Sequence, residues 1–363
     1  MKPTETEKLK YAFVATMAEA AEKIPARLTK EMIEQLTASI PHIQEAGANL
    51  QEFLDDANHV WLFVGPARFY EEQSAFQEAQ QLLNKGCEVI EQRFGGDHPK
   101  VAVFLSNLAQ IYLHQGLYVE AKPLLEQVLK IDLSVYGRLD LEVAVDLNNL
   151  GELYREQGYY EEAEYLHIRA IAIQQNLQVT DTTDFAACLN NLALTYYAQE
   201  RYNDAENLFK TALAIVRQEL GSKHINVAAS LNNLGIVYCV QRRCKEAEDI
   251  YSQALSIAEQ QLGTDHPNVA ASLNSLGELY LVQGHYWKAE PLFQRALDIV
   301  EKKLGVRHHY AASTLANLAL LYTLIGDYAK AEELHACALD IFEQRLGFEH
   351  PNTIALHESL VVP

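Results

Sequence analysis

Tyr112, Tyr154, Tyr196, Tyr238, Tyr280 and Tyr322 recur every 42 residues without a gap, and this period limits what the chain can fold into more than any other feature. Seven residues before each stands Leu105, Leu147, Leu189, Leu231, Leu273 or Leu315, and nine residues after each stands Ala121, Ala163, Ala205, Ala247, Ala289 or Ala331. A further aliphatic residue follows at Leu124, Leu166, Leu208, Ile250, Leu292 and Leu334. Several phases held in register over such a period mark a repeat architecture, in which each unit buries its apolar face only against the next.

Inside one unit the spacing is helical twice over. Leu231, Leu234 and Tyr238 fall at i, i+3 and i+7, one stripe of a first helix (helix A). Ala247, Ile250, Ala254, Leu255 and Ile257 keep similar spacing in a second (helix B). Gly116, Gly158, Gly284 and Gly326 separate the two where the chain must reverse. Gly95, Gly137, Gly221, Gly263, Gly305 and Gly347 follow helix B, at the position just past a helix end. Pro99, Pro267 and Pro351 then suit the first turn of the next helix A. A small residue beside the helix A leucine (Ala109, Gly151, Ala193, Gly235, Gly277, Ala319) lets helix B approach closely. The units predicted are 99–140, 141–182, 183–224, 225–266, 267–308 and 309–350. Tyr70, Phe76, Ala79 and Leu82 match the phases of Tyr112, Tyr118, Ala121 and Leu124, which makes 57–98 a degenerate unit. Residues 351–363, with Leu356 and Leu360, begin a capping helix, and residues 1–56 read as two or three helices divided at Pro25 and Pro41.

These residues carry a family resemblance. Leu105-x2-Leu108-Ala109-x2-Tyr112, then Ala121-x3-Leu125, resembles the tetratricopeptide repeat with Leu in place of the usual Trp. The 42-residue form, with Leu-Asn-Asn-Leu-Gly, Tyr-x-Glu-Ala-Glu and Leu-Gly-x-x-His-Pro, is similar to the kinesin light chain type over about residues 99–350. Ile40-Pro41-His42 to Phe69-Tyr70 resembles the lead-in to repeat arrays of bacterial, especially cyanobacterial, proteins. The resemblance implies an all-α fold: a right-handed superhelical solenoid of stacked antiparallel hairpins, whose A helices line a concave groove for extended peptides. Residues 1–56 show no sustained heptad pattern, so the long coiled coil of kinesin light chains is not expected, and motor association does not follow.

On the face of helix A opposite Leu231, Leu234 and Tyr238, Asn107, Asn149, Asn191, Asn233 and Asn317 share one phase, with Ser275 completing the series. Asn148, Asn190, Asn232 and Asn274 precede them. A carboxamide carries donors and an acceptor, so it can grip one peptide unit of a ligand in both directions. With helices roughly 8–10 Å apart and an extended strand advancing roughly 3.3 Å per residue, one clamp would meet about every third ligand residue. The resemblance implies the same role for the second asparagine of each pair, Asn149, Asn191 and Asn233. The alternative is that these amides bond between neighbouring helices, as buried polar groups usually do. Specificity is expected from Glu152, Leu194, Ile236 and Glu278, and from Arg155, Tyr197 and Cys239 three residues beyond that phase. Arg155 is the only base among them, so the acidic-ligand preference of kinesin light chains does not carry over. Leu194, Tyr197 and Ile236 predict an apolar or aromatic anchor, and Glu152 and Glu278 a place for basic flanking residues.

Other chemistry is not expected. His98, His224, His266, His308 and His350 recur once per unit in separate loops, too far apart to share a zinc whose ligand bonds are about 2.0–2.1 Å. They are expected to cap the helix that follows. Glu71-Glu72, Glu161-Glu162 and Glu332-Glu333 diverge on their helices and read as solvated faces, and the six repeat tyrosines read as core. No P-loop, nucleophile-elbow, HExxH or dinucleotide motif occurs, so neither an enzyme nor a cofactor is predicted. A formal net charge of −20 opposes binding to nucleic acid or an anionic membrane, and no apolar run is long enough to span a bilayer. The five cysteines are scattered, lack a CxxC, and read as buried free thiols; with an N-terminus that does not read as a signal peptide, they predict a cytoplasmic protein. The expected function is a scaffold or adaptor that binds a protein or peptide segment in its groove. The alternative is the sensor or oligomerisation arm of a signalling assembly, binding a folded partner.

Overall fold

The computed structural model describes residues 4–25, 28–50, 53, 60–348 and 350–359; Leu360 and the first residues of the degenerate unit, 57–59, lie outside this set. Eighteen helices and no strand occur among the described residues. Three precede the repeats: α1 (Glu5–Glu22), α2 (Lys30–Leu36) and α3 (Ile40–Asn49). Pro41 lies in the first turn of α3, just past the break that separates it from α2. A degenerate hairpin follows, α4 (Trp61–Glu72) and α5 (Phe76–Phe94). The A helices are α6 (Pro99–His114), α8 (Leu141–Glu156), α10 (Thr183–Ala198), α12 (Ile225–Val240), α14 (Pro267–Val282) and α16 (His309–Ile325), whose first residues are 42 apart. Their B partners are α7 (Tyr118–Val135), α9 (Tyr160–Asn176), α11 (Tyr202–Leu220), α13 (Cys244–Leu262), α15 (Tyr286–Lys303) and α17 (Tyr328–Arg345), and α18 (Pro351–Ser359) ends the described chain. No helix among the described residues is long and apolar enough to cross a membrane.

The chain divides into two compact units, one of Met1–His114 and Val119–Val135, the other of Gln115–Tyr118 and Tyr136–Pro363. In the first, α1 and α3 pack on α4, and α4 on α5. Its core joins Val14 and Ala18 of α1, Ile43 of α3, Phe63 of α4, Leu83 and Ile90 of α5 and Phe104 of α6. Arg68 Nη1 donates to the Ile24 carbonyl at 3.1 Å, fixing the exit of α1. A Cβ on Gly65 would lie 2.7 Å from the Ala21 carbonyl oxygen, so only glycine admits α1 at that distance.

In the second unit each A helix packs against its own B helix and its A neighbours, and α10, α12, α14 and α16 also pack against the preceding B helix. Contact on so many sides explains why α12 is apolar nearly all round, burying Val227, Leu231, Leu234, Val237 and Tyr238, whereas α13 buries a single stripe of Ala247, Tyr251, Ala254 and Ala258. Successive A helices lie closer to one another than successive B helices do, which puts the A helices on the inside of the curve. The helix pairs close up where glycine faces a large ring. A Cβ on Gly151, Gly235 or Gly277 would come within 2.7, 2.4 or 2.6 Å of His167, Tyr251 or Phe293. In the turns between A and B, Gly158 and Gly284 have φ of +82° and +75°, and the units without a glycine place Glu200 and Arg242 at φ 62° and 59° instead.

The loop histidines cap. Nδ1 of His98, His224, His266, His308 and His350 accepts the backbone N–H two residues on, at 3.1–3.2 Å in each case. Two expectations need correction. Of the repeat tyrosines only Tyr238 and Tyr322 are buried and the others are half-buried, and a cation lies over several of the rings, buried and half-buried alike. Arg201 covers Tyr196 at 3.6 Å, Arg243 covers Tyr238 at 3.9 Å and Lys330 covers Tyr322 at 3.8 Å. The glutamate that follows the repeat alanine reaches the same place from the preceding B helix: Glu164 pairs with Arg201 at 3.0 Å, Glu206 with Arg243 at 2.8 Å, and Glu248 accepts the Tyr280 hydroxyl at 2.7 Å. The cysteines are free, but Cys188 alone is buried and Cys337 is exposed, since position 337 falls on the outer face of a B helix.

Candidate functional site

The inner wall of the second unit is built by the residues of α8, α10, α12, α14 and α16 that turn away from their B helices. Asn149, Asn191, Asn233 and Asn317 all lie on it half-buried, with Asn148 just beneath the surface and Asn190, Asn232 and Asn274 half-buried beside them. Asn107 stands on α6 of the first unit and donates to the Val103 carbonyl of its own helix at 2.7 Å.

Within the second unit the amides divide into two kinds. Some are spent on neighbouring helices. Asn191 donates to Asn148 Oδ1 at 3.2 Å, and the same oxygen meets His167 Nδ1 at 3.1 Å. Asn317 donates to Asn274 Oδ1 at 3.3 Å and to Glu278 Oε1 at 2.7 Å, and Asn274 donates to Glu278 Oε1 at 2.7 Å. Asn232 donates to Ser272 at 2.8 Å, while Asn232 Oδ1 and Asn190 Oδ1 are buried without a partner. Asn149 and Asn233 are the second kind: among the described residues neither engages another group, so each keeps both its donor and its acceptor available.

Arg155 is occupied. Its Nη2 pairs with Glu156 at 2.6 Å, and burial, which works against its charge, is outweighed by Glu156 and Glu152. Tyr197 packs edge-on to Tyr202 at 5.6 Å, and burial followed by the nearby Glu278 pushes its phenol up to about 12. Burial and the same carboxylate push Cys239 up to about 11. Burial raises the carboxyl of Glu278 itself, against the downward pull of Asn317 and Asn274. Tyr197, Cys239 and Glu278 therefore cluster, with Tyr251 behind them. The asparagine series was legible in the sequence. The pairing of Asn274 with Asn317 across 43 residues was not; its only local trace is the i, i+4 spacing of Asn274 and Glu278.

The wall is bounded within its own unit. His350 Nε2 meets the Glu156 carbonyl 194 residues away, and a Cβ on Gly158 would lie 2.6 Å from Pro351 Cγ. The start of α18 thus rests on the turn between α8 and α9. His335 Nε2 meets the Leu356 carbonyl at 2.9 Å and ties α18 to α17. No group of three or more histidine, cysteine or carboxylate side chains gathers around a common point among the described residues.

The tetratricopeptide repeat family profile matches residues 67–134, 101–176, 184–260, 227–302 and 288–344, more than half of the chain. No curated protein matches it in sequence. A Rap protein solved in complex with competence and sporulation factor is similar over 98% of this chain and 99% of that one, at 16% identity and a TM-score of 0.61. NprR, solved with its cognate peptide NprX, is similar over 90% and 93% at 13% identity and a TM-score of 0.59. Kinesin light chain-like repeats from Podosopora anserina align over 56% and 97% at 27% identity and a TM-score of 0.44. The Rap and NprR likenesses concern the fold alone.

Proposed function

The chain belongs to the tetratricopeptide repeat family, and from that premise we propose that this protein–protein interaction scaffold holds an extended segment of its partner along the inner wall of α8, α10, α12, α14 and α16 and carries out no reaction of its own. One observation carries the reading. Asn149 and Asn233 stand half-buried on that wall with both amide atoms uncommitted, where a carboxamide can meet the N–H and C=O of a passing strand. Uncommitted amides in a crowded wall contribute little to folding and much to a guest backbone. That NprR, similar in fold, was solved with a peptide supports a peptide as the kind of guest.

The test is a peptide selected from a random phage-displayed library on the full chain, then titrated calorimetrically. Binding to the Asn149→Ala/Asn233→Ala double variant should weaken by about tenfold or more, the equivalent of losing one or two hydrogen-bonding groups, while the melting temperature stays put. Equal affinity for both proteins would rule the clamp out. Docking of a folded partner is the second reading, and it draws on Trp287 and Tyr328, which are 74% and 70% exposed at the turns that open α15 and α17. Loss of partner binding in Trp287→Ala/Tyr328→Ala with no effect of the asparagine pair would select it.

A further inference from the structure

On the inner wall, Glu278 has no cation beside it among the described residues. On α8, at the matching position, Glu152 stands within the field of Arg155. Around Glu278 the charged form is supported only by the amino groups of Asn274 and Asn317, each 2.7 Å from Oε1; the other groups that feel its charge are Tyr197, Cys239 and Tyr251, which carry none. Neither an arginine nor a lysine among the described residues acts on it. A half-buried carboxylate left this way is costly, since desolvation is offset by two neutral donors and no counter-ion.

The hydrogen bonds also set which way the amides face. A carboxylate only accepts, so Asn274 and Asn317 must both turn their NH2 groups to Glu278, and Asn317 then offers only Oδ1 outward. Asn191, whose NH2 gives one of its two hydrogens to Asn148, keeps one N–H besides its Oδ1. The wall around Glu278 is anionic at its centre, with Asn317 turned oxygen outward beside it, in a chain of net charge −20. Its complement is a group that donates in several directions and carries positive charge: a guanidinium has five N–H donors and no acceptor, and its flat face suits a tyrosine such as Tyr197.

We propose that Glu278, held by Asn274 and Asn317 and flanked by Tyr197 and Cys239, is the seat for one arginine side chain of an extended peptide guest. This deepens the groove reading above and rests on it. The seat lies on α14, one A helix beyond Asn233 and three beyond Asn149. At roughly 10 Å per helix and 3.3 Å per residue, the arginine stands about three residues from the one gripped by Asn233 and about nine from the one gripped by Asn149. The same bonds could serve only to staple α14 to α16, and the test separates the two roles. Glu278→Gln keeps an oxygen to accept from both asparagines but removes the charge. Glu278→Ala removes both.

Two pools of fluorescein-labelled random peptides of about 21 residues are titrated by anisotropy against the full chain, one with arginine fixed at the central position, the other with citrulline, its neutral isostere. The wild-type protein should bind the arginine pool about tenfold or more tightly than the citrulline pool, as expected for a charge-assisted bond. Glu278→Gln should lose that preference while melting as the wild type does. Equal binding of the two pools by the wild type, or an arginine preference that survives in Glu278→Gln, overturns the seat. The groove reading fails separately, if Asn149→Ala/Asn233→Ala binds both pools as the wild type does. Failure of the wild type to bind either pool overturns both.

Discussion

A methyl group added at Gly235 would come within 2.4 Å of Tyr251 Cε1, closer than carbon atoms approach without something moving. The glycine is thus kept for its ring-bearing neighbour and against helix propensity, which favours alanine by about 1 kcal/mol in a helix interior. Overpacking a tight contact costs about 1–3 kcal/mol. Gly235→Ala should therefore be neutral to destabilising, by up to about 2 kcal/mol in urea denaturation; a clear gain in stability would mean that Tyr251 swings away freely. The alternation is readable along the chain. Gly151, Gly235 and Gly277 face His167, Tyr251 and Phe293, and the period alone pairs them.

Between elements, the contact of α8 with α9 is polar where others are aromatic: His167 stands where α11 and α15 carry Phe209 and Phe293, a place that α17 also gives to a histidine, His335. Its Nδ1 meets Asn148 Oδ1 at 3.1 Å, and Asn148 in turn receives Asn191 from α10, so one polar chain links a B helix through α8 to the inner wall. Burial, helped by Arg155, pushes the His167 imidazole down to about 3. An unfolded histidine titrates near 6.5, so the folded value is the lower one. The stabilisation from neutral His167 is fully present above about pH 6.5 and is lost as pH falls from there toward about 3, because the unfolded chain takes up the proton first. His224 and His350, both lowered by burial, act in the same direction. Replacing His167 with phenylalanine removes one such group. The drop in melting temperature between about pH 7 and pH 4.5 should be smaller in His167→Phe than in the wild type, and an equal drop would remove His167 from the acid response.

At the scale of the whole array, the second unit brings the start of α18 back onto the turn after α8. Gly158 and Gly284 separate this contact from local backbone strain. Both have positive φ, and a Cβ costs each about 1–2 kcal/mol for the left-handed conformation. At Gly284 nothing lies within 4 Å of that Cβ, whereas at Gly158 it would meet Pro351 Cγ at 2.6 Å. Gly158→Ala should lower stability more than Gly284→Ala, and should speed hydrogen exchange in α18 where Gly284→Ala leaves it unchanged. Equal effects on both measures would mean that α18 is not seated on that turn.

The period, the turn glycines, the capping histidines and the small-against-large pairs are all local or repeat at a fixed interval, so the amino-acid sequence by itself determined the hairpins and their stacking. It also marked the asparagine phases and the position of Glu278. Which amides remain available was decided only by tertiary structure. Asn191 and Asn317 are spent on Asn148 and Glu278, and Asn149 and Asn233 are not, although all four occupy one repeat phase. The same holds for the return of His350 to Glu156 across 194 residues. The physical reason is common to both. A hydrogen bond depends on separations of a few tenths of an ångström and on which way an amide turns, and these arise when helices far apart in the chain meet, where a repeat pattern carries no record of them.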